Sequence, residues 1–188
     1  MDADYQQERP PIDLENLKYY LAGFTDGEGS FSVSIHRSKF VRLGWNINPL
    51  FQVYQHKDNS RILYIFKDVF KCGNVSKKGG NPSCFVYCVS SMHDLMGVVI
   101  PFFDRYPLVG EKYQNFLLFK QIVHGVSLKK HLTKNGFREL ARLAFQMNHS
   151  GKYRKNSLQT IFSSLEESSE TTRRGPGITP GHDIVRAL

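Results

Sequence analysis

Tyr20-Leu-Ala-Gly-Phe-Thr-Asp-Gly-Glu-Gly-Ser30 is the stretch from which the rest of the chain can be placed. A helix leads into it from Asp13, an acceptable N-cap, through Leu14, Leu17, Lys18, Leu21 and Ala22 to Asp26, where Gly27 can stop it. Asp26 and Glu28 then stand at the carboxyl end of that helix. The macrodipole makes such an end negative, so carboxylates there cost about 0.3 to 1 kcal/mol each unless a cation is present. Gly27 and Gly29 free the backbone on both sides of Glu28, which lets a carbonyl turn toward the same ion. Hard oxygen donors of this kind suit Mg²⁺, with Ca²⁺ a poorer substitute. Asp-Gly is also a common turn dipeptide, and this stretch alone does not separate a metal site from an acidic turn. Ala22, Gly23 and Gly27 add a small-residue face to an otherwise apolar helix, which permits close approach of a second helix.

Period-two alternation follows. Phe31-Ser-Val-Ser-Ile35 is one strand; Trp45-Asn-Ile-Asn, interrupted at Pro49 and resumed at Phe51-Gln-Val-Tyr-Gln55, is the next. Helical spacing over 60–70, strands at about 74–78 and 84–90 around a Gly79-Gly80-Asn81-Pro82 turn, and helices at about 92–103, 111–125 and 135–148 complete the pattern. The order α-β-β-α-β-β-α predicts an α+β domain whose four-stranded antiparallel sheet is covered by helices on one face. The other face is left for a ligand. By parity, Ser32, Ser34, His36, Asn46, Asn48, Gln52 and Tyr54 look outward, whereas Phe31, Val33, Ile35, Trp45, Ile47, Phe51 and Val53 look toward the helices.

Charge points to the ligand. The 188 residues carry a formal +8, but residues 29–162 hold 20 basic side chains against 6 acidic ones. A block this basic favours a polyanion through counterion release. Asn and Gln can pair bidentately with adenine in the major groove, and Ser and Tyr read more loosely. Arg37, Lys39 and Arg42 in the first hairpin, with Ser76, Lys77 and Lys78 in the second, suit guanine or phosphate. Lys129, Lys130, His131, Lys134, Arg138 and Arg142 extend the backbone-contacting surface.

The remaining composition narrows the class. Cys72, Cys84 and Cys88 form neither an even disulfide framework nor paired zinc knuckles, and the histidines show no metal spacing. No apolar run reaches the ~20 residues of a membrane span, and Asp2, Asp4 and Glu8 do not fit a signal or transit peptide. Residues 1–11 are polar and residues 163–188 are rich in Ser, Thr, Glu, Gly and Pro. Both are expected to be disordered segments flanking a domain at 12–162.

The segment Leu21-Ala-Gly-Phe-Thr-Asp-Gly-Glu-Gly29 resembles the signature of the LAGLIDADG homing endonucleases, as do the element order, Phe51-Gln-Val-Tyr-Gln55, and Tyr106-Pro-Leu-Val-Gly-Glu-Lys112 with Phe116 and Phe119. The resemblance spans about residues 13–150. It implies that Glu28 ligates catalytic metal with the Gly27 backbone nearby, that Asp26 is a local structural acid, that Gln55 orders water, and that Lys112 is the basic active-site residue. It further implies cleavage of duplex DNA across the minor groove with short 3′ overhangs, using Mg²⁺, with Mn²⁺ able to substitute and Ca²⁺ binding without cutting. One motif copy supplies one Glu28 while two strands must be cut, so the expectation is a homodimer joined through Leu21, Ala22, Gly23 and Gly27. Alternatives on the same scaffold are a maturase binding intron RNA and a DNA-binding regulator without catalysis. The implied origin is an organellar or bacterial intron, with synthesis in the same compartment.

Overall fold

The computed structural model describes residues 13–148 and 154–170. The first eleven residues, and those after 170, which the sequence assigns to disordered segments, lie outside the described residues. The order is α1 (Leu14–Glu28), β1 (Gly29–Arg37), β2 (Trp45–His56), α2 (Arg61–Phe70), β3 (Asn74–Lys78), β4 (Asn81–Val89), α3 (Met92–Asp94), a π-helical turn (Leu95–Val99), α4 (Ile100–Arg105), α5 (Lys112–Ser127), α6 (Lys134–Gln146) and α7 (Leu158–Glu170). The strands form one antiparallel sheet in the order β1-β2-β4-β3.

Helix α1 starts as its sequence dictates, with the Asp13 carboxylate accepting from the amides of Glu15 and Asn16 at 2.8 Å. It runs through Gly27 and ends two residues later than expected, at Glu28, with the Gly29 amide donating to the Thr25 carbonyl. Gly29 is the actual terminator for steric reasons. A Cβ there would lie 2.4 Å from Thr25 Cγ2 and 2.7 Å from Thr25 O. The helix therefore passes into β1 with no intervening loop.

The parity argument holds along β1 and β2. Phe31, Val33, Trp45, Ile47, Phe51 and Val53 are buried. Phe31 is the hub, its ring 5.3 Å from those of Phe51, Phe103, Phe116 and Phe119. Aromatic pairs at such distances contribute about 0.5 to 1.5 kcal/mol each beyond simple burial. The hub thus clamps the start of β1, and with it the end of α1, under α4 and α5.

Pro49 does not interrupt β2. The β2 half that contains it pairs with β1 alone, because β4 joins only from Phe51 onward, and an open strand edge tolerates proline. Pro101 has the opposite effect. It lacks an amide and crowds the preceding turn, and the helix widens into the π turn just before it.

The domain boundary expected at 162/163 falls inside α7. Ile161 and Leu165 are fully buried, and Ser164 Oγ accepts a 2.6 Å hydrogen bond from Trp45 Nε1. Arg138 pairs with Glu166, and Arg138 and Arg142 lie over the Phe162 ring. Leu158, Ile161, Phe162 and Leu165 recur at helical spacing, so the segment carries an apolar stripe despite its polar composition.

Trp45 is the single tryptophan, so its emission reports on α7. Ser164→Ala should shift that emission and lower stability by about 1 to 3 kcal/mol, the cost of a buried donor left unpaired. Leu165→Ala should cost about 2 to 5 kcal/mol in urea unfolding. A chain ended at Phe162 that keeps wild-type emission and midpoint would show that α7 is dispensable.

Candidate active site and nucleic-acid interface

The C-terminal turn of α1 gathers the groups that carry charge. Asp26 Oδ2 accepts hydrogen bonds from the amides of Val109 at 2.7 Å and Gly110 at 3.0 Å. Its other oxygen is buried without a hydrogen-bond partner, and a Cβ on Gly110 would approach it to 3.3 Å. Asp26 is thereby a tie between α1 and the loop that opens α5, consistent with a structural role. That tie delivers Lys112. Lys112 Nζ donates to the Thr25 carbonyl at 2.9 Å and the Gly27 carbonyl at 3.2 Å. These carbonyls belong to the negative end of the helix dipole, so the amine is the cation that end calls for. Burial pushes the Lys112 pKa below the usual lysine value, against the opposing fields of Asp26 and Glu28.

Glu28 is the last residue of α1 and is exposed. The Gly27 carbonyl, a candidate metal donor, is already engaged by Lys112. Register sets Gly29 opposite Val53, which carries Gln55 two residues past the start of β1, level with the last turn of α1. Gln55 Oε1 accepts from the His56 amide at 2.8 Å.

The open sheet face is a set of cross-strand rows. Ser30, Gln52, Cys88 and Asn74 form one; Tyr54, Val86 and Ser76 another; then come Ser32 with Leu50, Ser34 with Asn48, and His36 with Asn46. Within them Tyr54 donates to Gln52 at 3.0 Å, Ser34 Oγ meets His36 Nδ1 at 3.3 Å, and Lys78 Nζ lies 4.8 Å from the Tyr54 ring centroid. Beside β1 the rows open into a cleft of about 720 Å³ whose far wall includes Asn148, Arg154, Lys155 and Asn156.

Several assignments change. Arg37 has the parity of Val33 and Ile35 and lies 4.6 Å over the Trp45 ring, so it braces the hairpin on the helix side. Lys77 pairs with Phe85, in the row of Gln55, and leaves the reading face to Ser76 and Lys78. Arg138 and Arg142 are turned onto α7, and Lys130 pairs with Glu139 at 3.4 Å. Leu21 and Ala22 are buried within the chain's own core, so neither can form an interchain face. Tyr20, Gly23 and Gly27 are exposed on the opposite side of α1, and a Cβ at either glycine would meet nothing within 4 Å.

Ser30, Leu50, Asn74, Cys84, Val86 and Cys88 share the open face beyond the residues that the sequence alone places there. The alternation of Cys84, Val86 and Cys88 on β4 was the available signal. No local signal marks Arg154 and Lys155, because tertiary contacts alone bring their segment beside β1.

Comparison with known proteins fits this geometry. Residues 21–123 match the LAGLIDADG endonuclease family model. The chain is 30% identical over 129 residues to a probable intron-encoded endonuclease of Neurospora crassa, covering 69% of this chain but only 28% of that protein. It is 31% identical over 149 residues to the homing endonuclease I-ApeII of Aeropyrum pernix, covering 77% of this chain and 87% of the relative. Among solved structures, the archaeal intron-encoded homing endonuclease I-Vdi141I complexed with DNA superposes with a TM-score of 0.78 at 30% identity, covering 84% of this chain and 99% of that one. With the helix-to-strand junction at Glu28, the one-sided sheet and these matches together, the chain belongs to the LAGLIDADG endonuclease family.

Proposed function

We propose that the chain is a homing endonuclease that acts as a homodimer with divalent metal, making a double-strand break in a long pseudo-palindromic DNA site and leaving short 3′ overhangs. The carrying observation is that exposed Glu28 ends α1 next to the Gly27 carbonyl to which the Lys112 amine donates, at the root of a sheet face built from hydroxyl, amide and imidazole groups.

The donor set explains why two copies are needed. Among the described residues no three His, Cys, Asp or Glu side chains gather, and Asp26 is committed to Val109 and Gly110. One chain therefore offers Glu28 alone. A two-fold axis along the exposed Tyr20, Gly23 and Gly27 side of α1 would bring a Glu28 from each copy together, a hard-oxygen pair that fits Mg²⁺ or Mn²⁺ and also holds Ca²⁺. A bound divalent ion would stabilise negative charge developing on the scissile phosphate. Lys112 adds a second cation there, and its depressed pKa lets it exchange a proton at lower pH than an ordinary lysine. Gln55 has the reach to orient water, once its side chain leaves the His56 amide.

Ser32, Ser34, His36, Asn46, Asn48, Gln52 and Tyr54 would read base edges, and Lys39, Arg42 and Lys78 would hold phosphates. No helix among the described residues is long and apolar enough to cross a membrane. An intron-encoded origin follows from the relatives' names.

Cleavage selection from randomised duplex with Mg²⁺ should recover a site, and Glu28→Gln should bind it without cutting. A wild-type chain that binds specifically yet never cuts would leave only the regulator or RNA-maturase reading. Lys112→Ala should slow cleavage by about 10² to 10⁴ while keeping binding, the usual range for loss of a proton-transfer group. Light scattering at micromolar concentration should report about twice the chain mass, and a monomer with and without DNA would refute the two-fold site.

A further inference from the structure

The geometry points to a second, non-electrostatic DNA contact at the tip of the β1–β2 hairpin: we propose that Phe40 stacks its ring against deoxyribose at the outer end of each half-site. This rests on the DNA-binding reading above and adds to it the chemistry of one contact.

Phe40 is 98% exposed. A lone exposed aromatic is ordinary, and three further observations single this one out. The first is charge, since Lys39 and Arg42 flank it and are both exposed, so the apolar ring sits between two phosphate-seeking cations. The second is the closed backbone of the turn. Leu43 is buried at the base of the hairpin, Ser38 N donates to Gly44 O at 3.0 Å, and Gly44 N donates to Val41 O at 2.9 Å. Gly44 takes a φ of +72°, which closes the loop, and the Phe40 amide reaches Ser38 Oγ at 3.4 Å. The turn backbone beneath the ring is thus pinned, so only the torsions of the Phe40 side chain are left to order on a partner.

The third is location. The tip continues the reading face beyond His36 and Asn46. Strand β1 has nine residues from Gly29, next to Glu28, to Arg37. At about 3.3 Å per residue it spans roughly 30 Å. At about 3.4 Å per base pair that is roughly eight or nine pairs from the cutting centre. At that distance the backbone of the duplex meets an aromatic ring bracketed by cations, so the ring has the sugar faces to cover while Lys39 and Arg42 take the adjoining phosphates.

The test uses the full chain and a fluorescein-labelled 30-base-pair duplex enriched from a randomised pool by binding, with anisotropy read in EDTA across a salt series. Phe40→Ala should weaken binding about 10- to 100-fold, the worth of burying one phenyl ring, with no change in the slope of log affinity against log salt. Phe40→Tyr should restore affinity to within about twofold, since either ring supplies the same flat apolar face. Lys39→Ala should instead flatten the slope by about 0.9, as expected for one lost phosphate contact. The thermal midpoint of Phe40→Ala should match wild type. Unchanged affinity in Phe40→Ala, a flattened slope, or a lowered midpoint would each overturn the stacking role while leaving the endonuclease reading intact. A wild-type chain that enriches no duplex would overturn both, and one that binds but does not cut would overturn the endonuclease reading alone.

Discussion

The negative end of α1 is the constraint around which the rest of the chain is arranged. A helix that ends in Asp26 and Glu28 concentrates charge of one sign with the dipole. The fold offsets this in two ways. Asp26 is spent on the amides of Val109 and Gly110, and the loop so tethered lets α5 begin where Lys112 can reach the carbonyls of Thr25 and Gly27. Glu28 is left as the uncommitted carboxylate. The direct passage from Glu28 into Gly29 and β1 then couples this charged end to the open sheet face, with Phe31 locking the junction from below.

Because the coupling runs along one continuous strand, distance from the active end maps onto position in the sheet rows. Rows near Ser30 and Gln52 lie close to Glu28, and rows near His36 and Asn46 lie far from it. The buried members of the same strands are shared by the whole core. Outward side chains can therefore vary with little effect on stability, while inward ones cannot.

Much of this was legible in the sequence, for identifiable reasons. Alternation in β1 and β2 has a strict period, so the parity of Phe31 against Ser32 leaves one answer. Proximity in sequence misleads where face decides. Leu21, Ala22 and Gly23 are consecutive and so point about 100° apart on a helix, and only Gly23 can share a side with Gly27. Arg37 and Lys77 lie in basic hairpins, yet parity turns both to the other face. Helix α7 was hidden because its polar majority masks four apolar residues at helical spacing. The docking of Arg154 and Lys155 beside β1, and the tie from Asp26 to Gly110, are long-range and leave no local trace.

The open side of β2 has a consequence for how the chain associates. Unpaired strand edges invite another chain to add a strand. Pro49 removes a backbone donor on the unpaired half of β2. The outer edge of β1 is partly occupied by Asn148, whose amide donates to the Phe31 carbonyl, and β3 is five residues long and carries Lys77 and Lys78. Each edge is thus made a poor template for aggregation, and strand addition offers no competition to the two-copy association proposed through the exposed stripe of α1.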